Sequence, residues 1–122
     1  MNAQLKKELA KSKREKLEKK FDFIWKAIDG QSLVSEYKFN PDRRWAADRC
    51  HRFTKILLEI EGGNWSNGRH NRGKGFENDC EKYFDATMRG YTIIRLSSNM
   101  LTEMVLNRVK SLIEATDQRL SR

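Results

Sequence analysis

The chain has 122 residues, enough for one domain with a modest core and too few for a second. Hydrophobic residues make up 38% and charged residues 34%, and no apolar run approaches the ~20 residues of a membrane-spanning helix, so no membrane partner is expected. Lysine and arginine outnumber aspartate and glutamate by 25 to 17, a net charge of +8 that favours a polyanion partner.

The N-terminal stretch MNAQLKKELAKSKREKLEKK has no apolar segment of the secretory type, so a cytoplasmic location is expected. Its eight Lys/Arg against three Glu mark residues 1–20 as a basic helical extension to a domain over 21–122. Two cysteines, Cys50 and Cys80, without a CxxC pair argue for reduced thiols rather than a disulfide framework. With His51 and His70 they would make four zinc ligands, but adjacent Cys50 and His51 are poorly placed to share one tetrahedral ion.

From Ala3 to Ile28 there is no Gly or Pro, and Leu5, Leu9, Leu17, Phe21, Ile24 and Ile28 follow one helical stripe, which predicts a long first helix closed by Gly30. Its second half should pack on the body while its charged first half projects. Leu33–Phe39 is rich in strand formers and is followed by a Pro41-Asp42 turn. Arg43–Cys50 and Lys55–Glu61 flank a short polar link, the pattern of a hairpin. The next stretch, GGNWSNGRHNRGKG, holds five of the seven glycines together with Arg69, His70, Arg72 and Lys74, and reads as a surface loop.

A helix is predicted over Phe76–Arg89, with Phe76, Cys80, Phe84 and Met88 spaced by four and Gly90 at its end. Tyr91–Leu96 is a strand, and Met100 to Thr116 a last amphipathic helix. Phe76, Phe84, Ile93, Ile94 and Trp25 are expected in the core. Helix, three strands, helix, strand, helix predicts an α/β fold, a mixed sheet with helices on its faces.

Within the third strand, LEIEGG ends an apolar run with two carboxylates. Side chains alternate along a strand, so Glu59 and Glu61 share a face about 7 Å apart, with Leu58 and Ile60 on the other. Antiparallel pairing with the preceding strand would bring Asp48 to the same end. Such carboxylates oppose folding unless their charge is compensated, either by a hard divalent cation or by the nearby arginines and lysines.

The ordered segments RRWAAD, LEIEGGNW, GRHNRGKGFENDCEKY and GYTIIRL resemble the PD-(D/E)XK nuclease superfamily. The resemblance is to its small Vsr-like branch, which includes very-short-patch-repair, phage-encoded and homing-type endonucleases. It covers Phe21 to Ile113 and implies a restriction-endonuclease-like fold and a Mg²⁺- or Mn²⁺-dependent DNA endonuclease, monomeric or homodimeric. By position, Asp48 is similar to the metal-binding aspartate, Glu59 to the second carboxylate, and the carbonyl of Ile60 to a further metal ligand. Glu61 stands where many members carry a lysine. His70 is similar to the histidine beside the scissile phosphate, Asp79 to the late aspartate, and Glu18 to a glutamate of the N-terminal helix. The text after Asp48, Arg49-Cys50-His51-Arg52, departs from the apolar strand usual there.

In this reading His70 exchanges protons with the attacking water or the leaving oxygen, and Glu61 orients the water or holds a second metal. Arg69, Arg72 and Lys74 contact phosphates. Lys82 is a phosphate ligand, a relocated catalytic lysine or a plain surface charge. Trp65 stacks on a base or packs over the core edge. Two other readings are a junction resolvase of the same fold, which needs a dimer for symmetric cutting, and a DNA-binding module that has lost catalysis.

Overall fold

The computed structural model describes residues 2–62 and 74–122. Helix α1 (Ala3–Ala27) is followed by strands β1 (Val34–Tyr37), β2 (Ala47–His51) and β3 (Ile56–Glu61), helix α2 (Lys74–Met88), strand β4 (Thr92–Ser97) and helix α3 (Glu103–Leu120). The four strands form one sheet in the order β1-β2-β3-β4. The first two pairings are antiparallel, and β3–β4 is parallel across the α2 crossover. This is the mixed α/β sheet flanked by helices that the order of elements predicts.

β3 explains the layering. Ile56, Leu58 and Ile60 join Phe21 and Trp25 of α1 and Leu106, Val109 and Ile113 of α3 in one core. Leu57 points the other way, into a smaller cluster with Phe39, Ala47, Cys50 and Ala86 of α2. Alternate side chains thus serve different layers, and a strand covered on both sides reads as a nearly continuous apolar run.

α1 begins with Asn2, whose side chain accepts a hydrogen bond from the N–H of Leu5 at 2.8 Å. Residues 2–16 are exposed, while Leu17, Phe21, Ile24, Trp25 and Ile28 pack on the body, so the two halves behave as the stripe predicts. Lys110 of α3 donates to the carbonyl of Ile28 at 2.7 Å and ties the helix end to its neighbour. Gly30 is dictated by space: a Cβ there would lie 2.1 Å from the indole of Trp25. Gly90, at φ +88°, closes α2 in the left-handed conformation that glycine adopts without a steric cost.

One expectation is corrected. Phe76 and Phe84 are 63% and 67% exposed, so the stripe spaced by four on α2 faces outward rather than into the core. Trp25 is buried as expected, and Ile93 and Ile94 are half-buried against the two clusters. The polar text after Asp48 does not disorder β2, whose five residues are all buried. Arg49 is neutralised by α1, and both ring nitrogens of His51 lie 2.7 Å from side-chain oxygens, of Thr54 and Gln31. Burial pushes the Cys50 thiol up to about 11, which keeps it protonated and inert, while Cys80 is exposed; both cysteines are free.

Candidate active site

The acidic residues gather where β2 begins and β3 ends. The register sets Arg49 opposite Leu58, so one step back Asp48 lies beside Glu59 across the ladder. Asp48 is only 3% exposed, and both of its oxygens are used. Oδ2 accepts from the N–H of Ile60 at 2.7 Å, and Oδ1 accepts from Arg14 of α1 at 2.8 Å. A buried carboxylate held by two donors is fixed in place.

Two further carboxylates approach it from other elements. Glu18 comes from α1 and Glu36 from β1, and one oxygen from each lies within 4.8 Å of the others and of Asp48. Glu36 has φ +50°, a left-handed residue inside a strand, which interrupts the pleat at this point. Arg49 sets the position of Glu18. Its guanidinium is buried and bonds Glu18 at 2.8 Å, Asp22 at 2.9 and 3.2 Å, and the carbonyl of Asp48 at 2.7 Å. The departure at Arg49 is therefore a clamp between β2 and α1.

Glu59 is 7% exposed and its pKa is pushed up to about 7, chiefly by desolvation, which outweighs the nearby lysine. Lys82 Nζ approaches Oε1 of Glu59 to 2.8 Å, yet no described residue directs a well-aligned hydrogen bond at that oxygen. The lysine donates to the carbonyl of Ala46 at 3.0 Å. Glu61 is fully engaged: Arg95 of β4 donates to both of its oxygens at 3.0 and 2.7 Å, and the Tyr83 hydroxyl donates at 3.1 Å. Arg95 also lies over the Tyr83 ring. Asp79, half-buried on α2, adds negative charge beside Tyr83 and Arg95.

The structure thus brings together Asp48, Glu59, Glu61 and Lys82, and adds Glu18. Trp65, Arg69, His70 and Arg72 lie outside the described residues; Lys74 opens α2, but its side chain also lies outside them. Sequence reasoning missed Arg14, Glu36, Arg49, Tyr83 and Arg95. One signal was available for Arg49: Glu18 and Asp22 are an i,i+4 acidic pair beside the packing stripe of α1, and such a pair needs a cation.

A hard divalent ion suits these donors. Glu18, Glu36 and Asp48 offer clustered carboxylate oxygens, while Glu59, beside Asp48 on the neighbouring strand, stands outside that cluster and faces Lys82. Among the described residues every one of Asp48, Glu59 and Glu61 also has a basic neighbour.

No family model matches the chain, and no curated protein matches it. Among solved structures it is similar to a chain described as the catalytic domain of the homing endonuclease I-Bth0305I. The TM-score is 0.55 at 16% identity, over 84% of this chain and 94% of the other. At that identity the likeness establishes a shared fold.

Proposed function

We propose that this chain is a metal-dependent DNA endonuclease of the Vsr-like branch. The observation that carries the reading is the placement of buried Asp48 beside Glu59, with Glu18 and Glu36 adjoining, in a fold shared with a homing endonuclease catalytic domain. Asp48, Glu18, Glu36 and Glu59 would hold Mg²⁺ or Mn²⁺. Such an ion, when bound, neutralises a phosphate oxygen and acidifies a water. Asp48 is locked by Ile60 and so fixes where the reacting phosphate sits. Glu61 holds the half-exposed Arg95 in a fixed orientation for a neighbouring phosphate, rather than serving a second metal itself. His70 would move the proton, and Arg69, Arg72 and Lys74 would grip the backbone.

The same ion pairs favour the rival reading, a DNA-binding module of this fold without catalysis, because cations already balance the acids. Incubating the protein with supercoiled plasmid separates the two. The endonuclease nicks or linearises DNA with Mg²⁺ or Mn²⁺ and not with EDTA, and Asp48→Asn abolishes cleavage. His70→Ala slows cleavage by about a hundredfold while leaving binding nearly intact. Tight binding with no cleavage under any divalent ion selects the module.

A further inference from the structure

We propose that Arg14 is a built-in substitute for the divalent ion, and that metal enters this site only by displacing it. The inference rests on the metal reading above and concerns how that site is occupied. One guanidinium stands among three carboxylates from three elements. Its nitrogens lie 2.8 Å from Asp48, 3.6 Å from Glu18 and 3.7 Å from Glu36. The oxygens it touches belong to the residues whose carboxylates cluster within 4.8 Å. A second feature lies at the same place: Glu59, more than nine-tenths buried beside Asp48, has an oxygen that receives no well-aligned hydrogen bond from a described donor, its near cation being Lys82 at 2.8 Å.

Charge and mobility both favour exchange. Arg14 and Arg49 together face four carboxylates, Glu18, Glu36, Asp48 and Asp22, and leave an excess of negative charge, which a divalent ion in place of Arg14 neutralises more fully. That ion and Arg14 cannot share the pocket, because they would repel at contact distance. Asp48 is anchored by the Ile60 amide and cannot turn away. Arg14 can, since its side chain is 57% exposed on the unpacked half of α1, and exposed ion pairs are weak. Without metal, Arg14 holds the acids together and spares the fold their repulsion. With metal, the freed guanidinium rejoins the other cations of α1, where a nucleic-acid phosphate can take it.

Binding of Mn²⁺ to the full chain, followed by electron paramagnetic resonance of the free ion, tests this without reference to cleavage. Arg14→Ala and Arg14→Gln should each bind Mn²⁺ about three- to tenfold more tightly than the wild type. Arg14→Lys, which keeps the charge, should stay within about twofold of wild type. Lys26→Ala removes the same charge from an exposed, remote position on the helix and should change little. Asp48→Asn should remove the site from both the wild type and the Arg14→Ala background. The proposal is overturned if Arg14→Ala and Arg14→Gln bind no more tightly, if Lys26→Ala tightens binding equally, or if no variant binds Mn²⁺ saturably. A wild type that fails to cut DNA but shows the Arg14 competition refutes the endonuclease and leaves this inference standing. A cleaving enzyme indifferent to Arg14 does the reverse.

Discussion

Glu59 is the side chain whose protonation the structure perturbs most usefully. Its folded pKa of about 7 lies above the ordinary value of 4.5, because burial penalises the carboxylate more than Lys82 supports it. The folded protein therefore holds a proton that the unfolded chain releases between these values. Stability from this residue is fullest below about pH 4.5, falls as pH rises, and is lost above about 7. Glu59→Gln mimics the neutral acid at all pH values. Relative to wild type, its melting temperature is expected to rise between pH 5 and 8 in EDTA, measured by calorimetry. A difference that stays flat with pH would place the Glu59 pKa in the ordinary range. At this scale Asp48, Glu59 and Glu61 were legible in the sequence, since strand alternation and spacing within a hairpin are short-range properties. Their cations were not. Arg14 meets Asp48 across 34 positions, and Arg95 meets Glu61 across 34, so only the packed chain reveals those pairs.

Among the elements, α1 and α2 teach opposite lessons. The stripe on α1 foretold its buried side, because Phe21 and Trp25 come where the helix crosses the sheet. The stripe on α2 did not. Phe76, Phe84 and Met88 face outward, while Ala86 is buried and Lys82 and Tyr83 turn toward the acids. Periodicity identifies a helix and one of its faces, but two polar residues with buried partners can claim the inward side. The contrast is measurable by urea denaturation. Phe84→Ser is expected to cost less than about 0.5 kcal/mol, as for a surface change. Phe21→Ala should cost about 3–5 kcal/mol, as for a core aromatic. The projecting half of α1 makes a separate prediction. Deleting residues 1–12 removes Lys6, Lys7, Lys11 and Glu8 and leaves Arg14 in place. DNA binding should weaken and its dependence on log salt flatten by roughly 2–3, as fewer counterions are released. An unchanged slope would show that this segment does not touch the backbone.

At the scale of the whole molecule, the three layers follow from chain order. Two polar turns make the antiparallel part of the sheet, and a helix between β3 and β4 permits the parallel pairing. That was legible because connection length limits which strands can be neighbours. Which residues bridge the layers was not legible, since it depends on tertiary geometry. The sheet also ends on β4, and among the described residues no strand pairs with its outer edge. Its sequence, Thr-Ile-Ile-Arg-Leu-Ser, is a strong β-former with a single charge in it. An open edge of this composition invites another chain to add to it, as in fibrils. Arg95 is the one charge in that strand, and a charge mid-strand penalises stacking of one molecule on the next. Arg95→Val is expected to turn the edge into a template for aggregation. Light scattering and thioflavin fluorescence should rise with protein concentration at 37 °C in that variant and stay flat in Arg95→Lys.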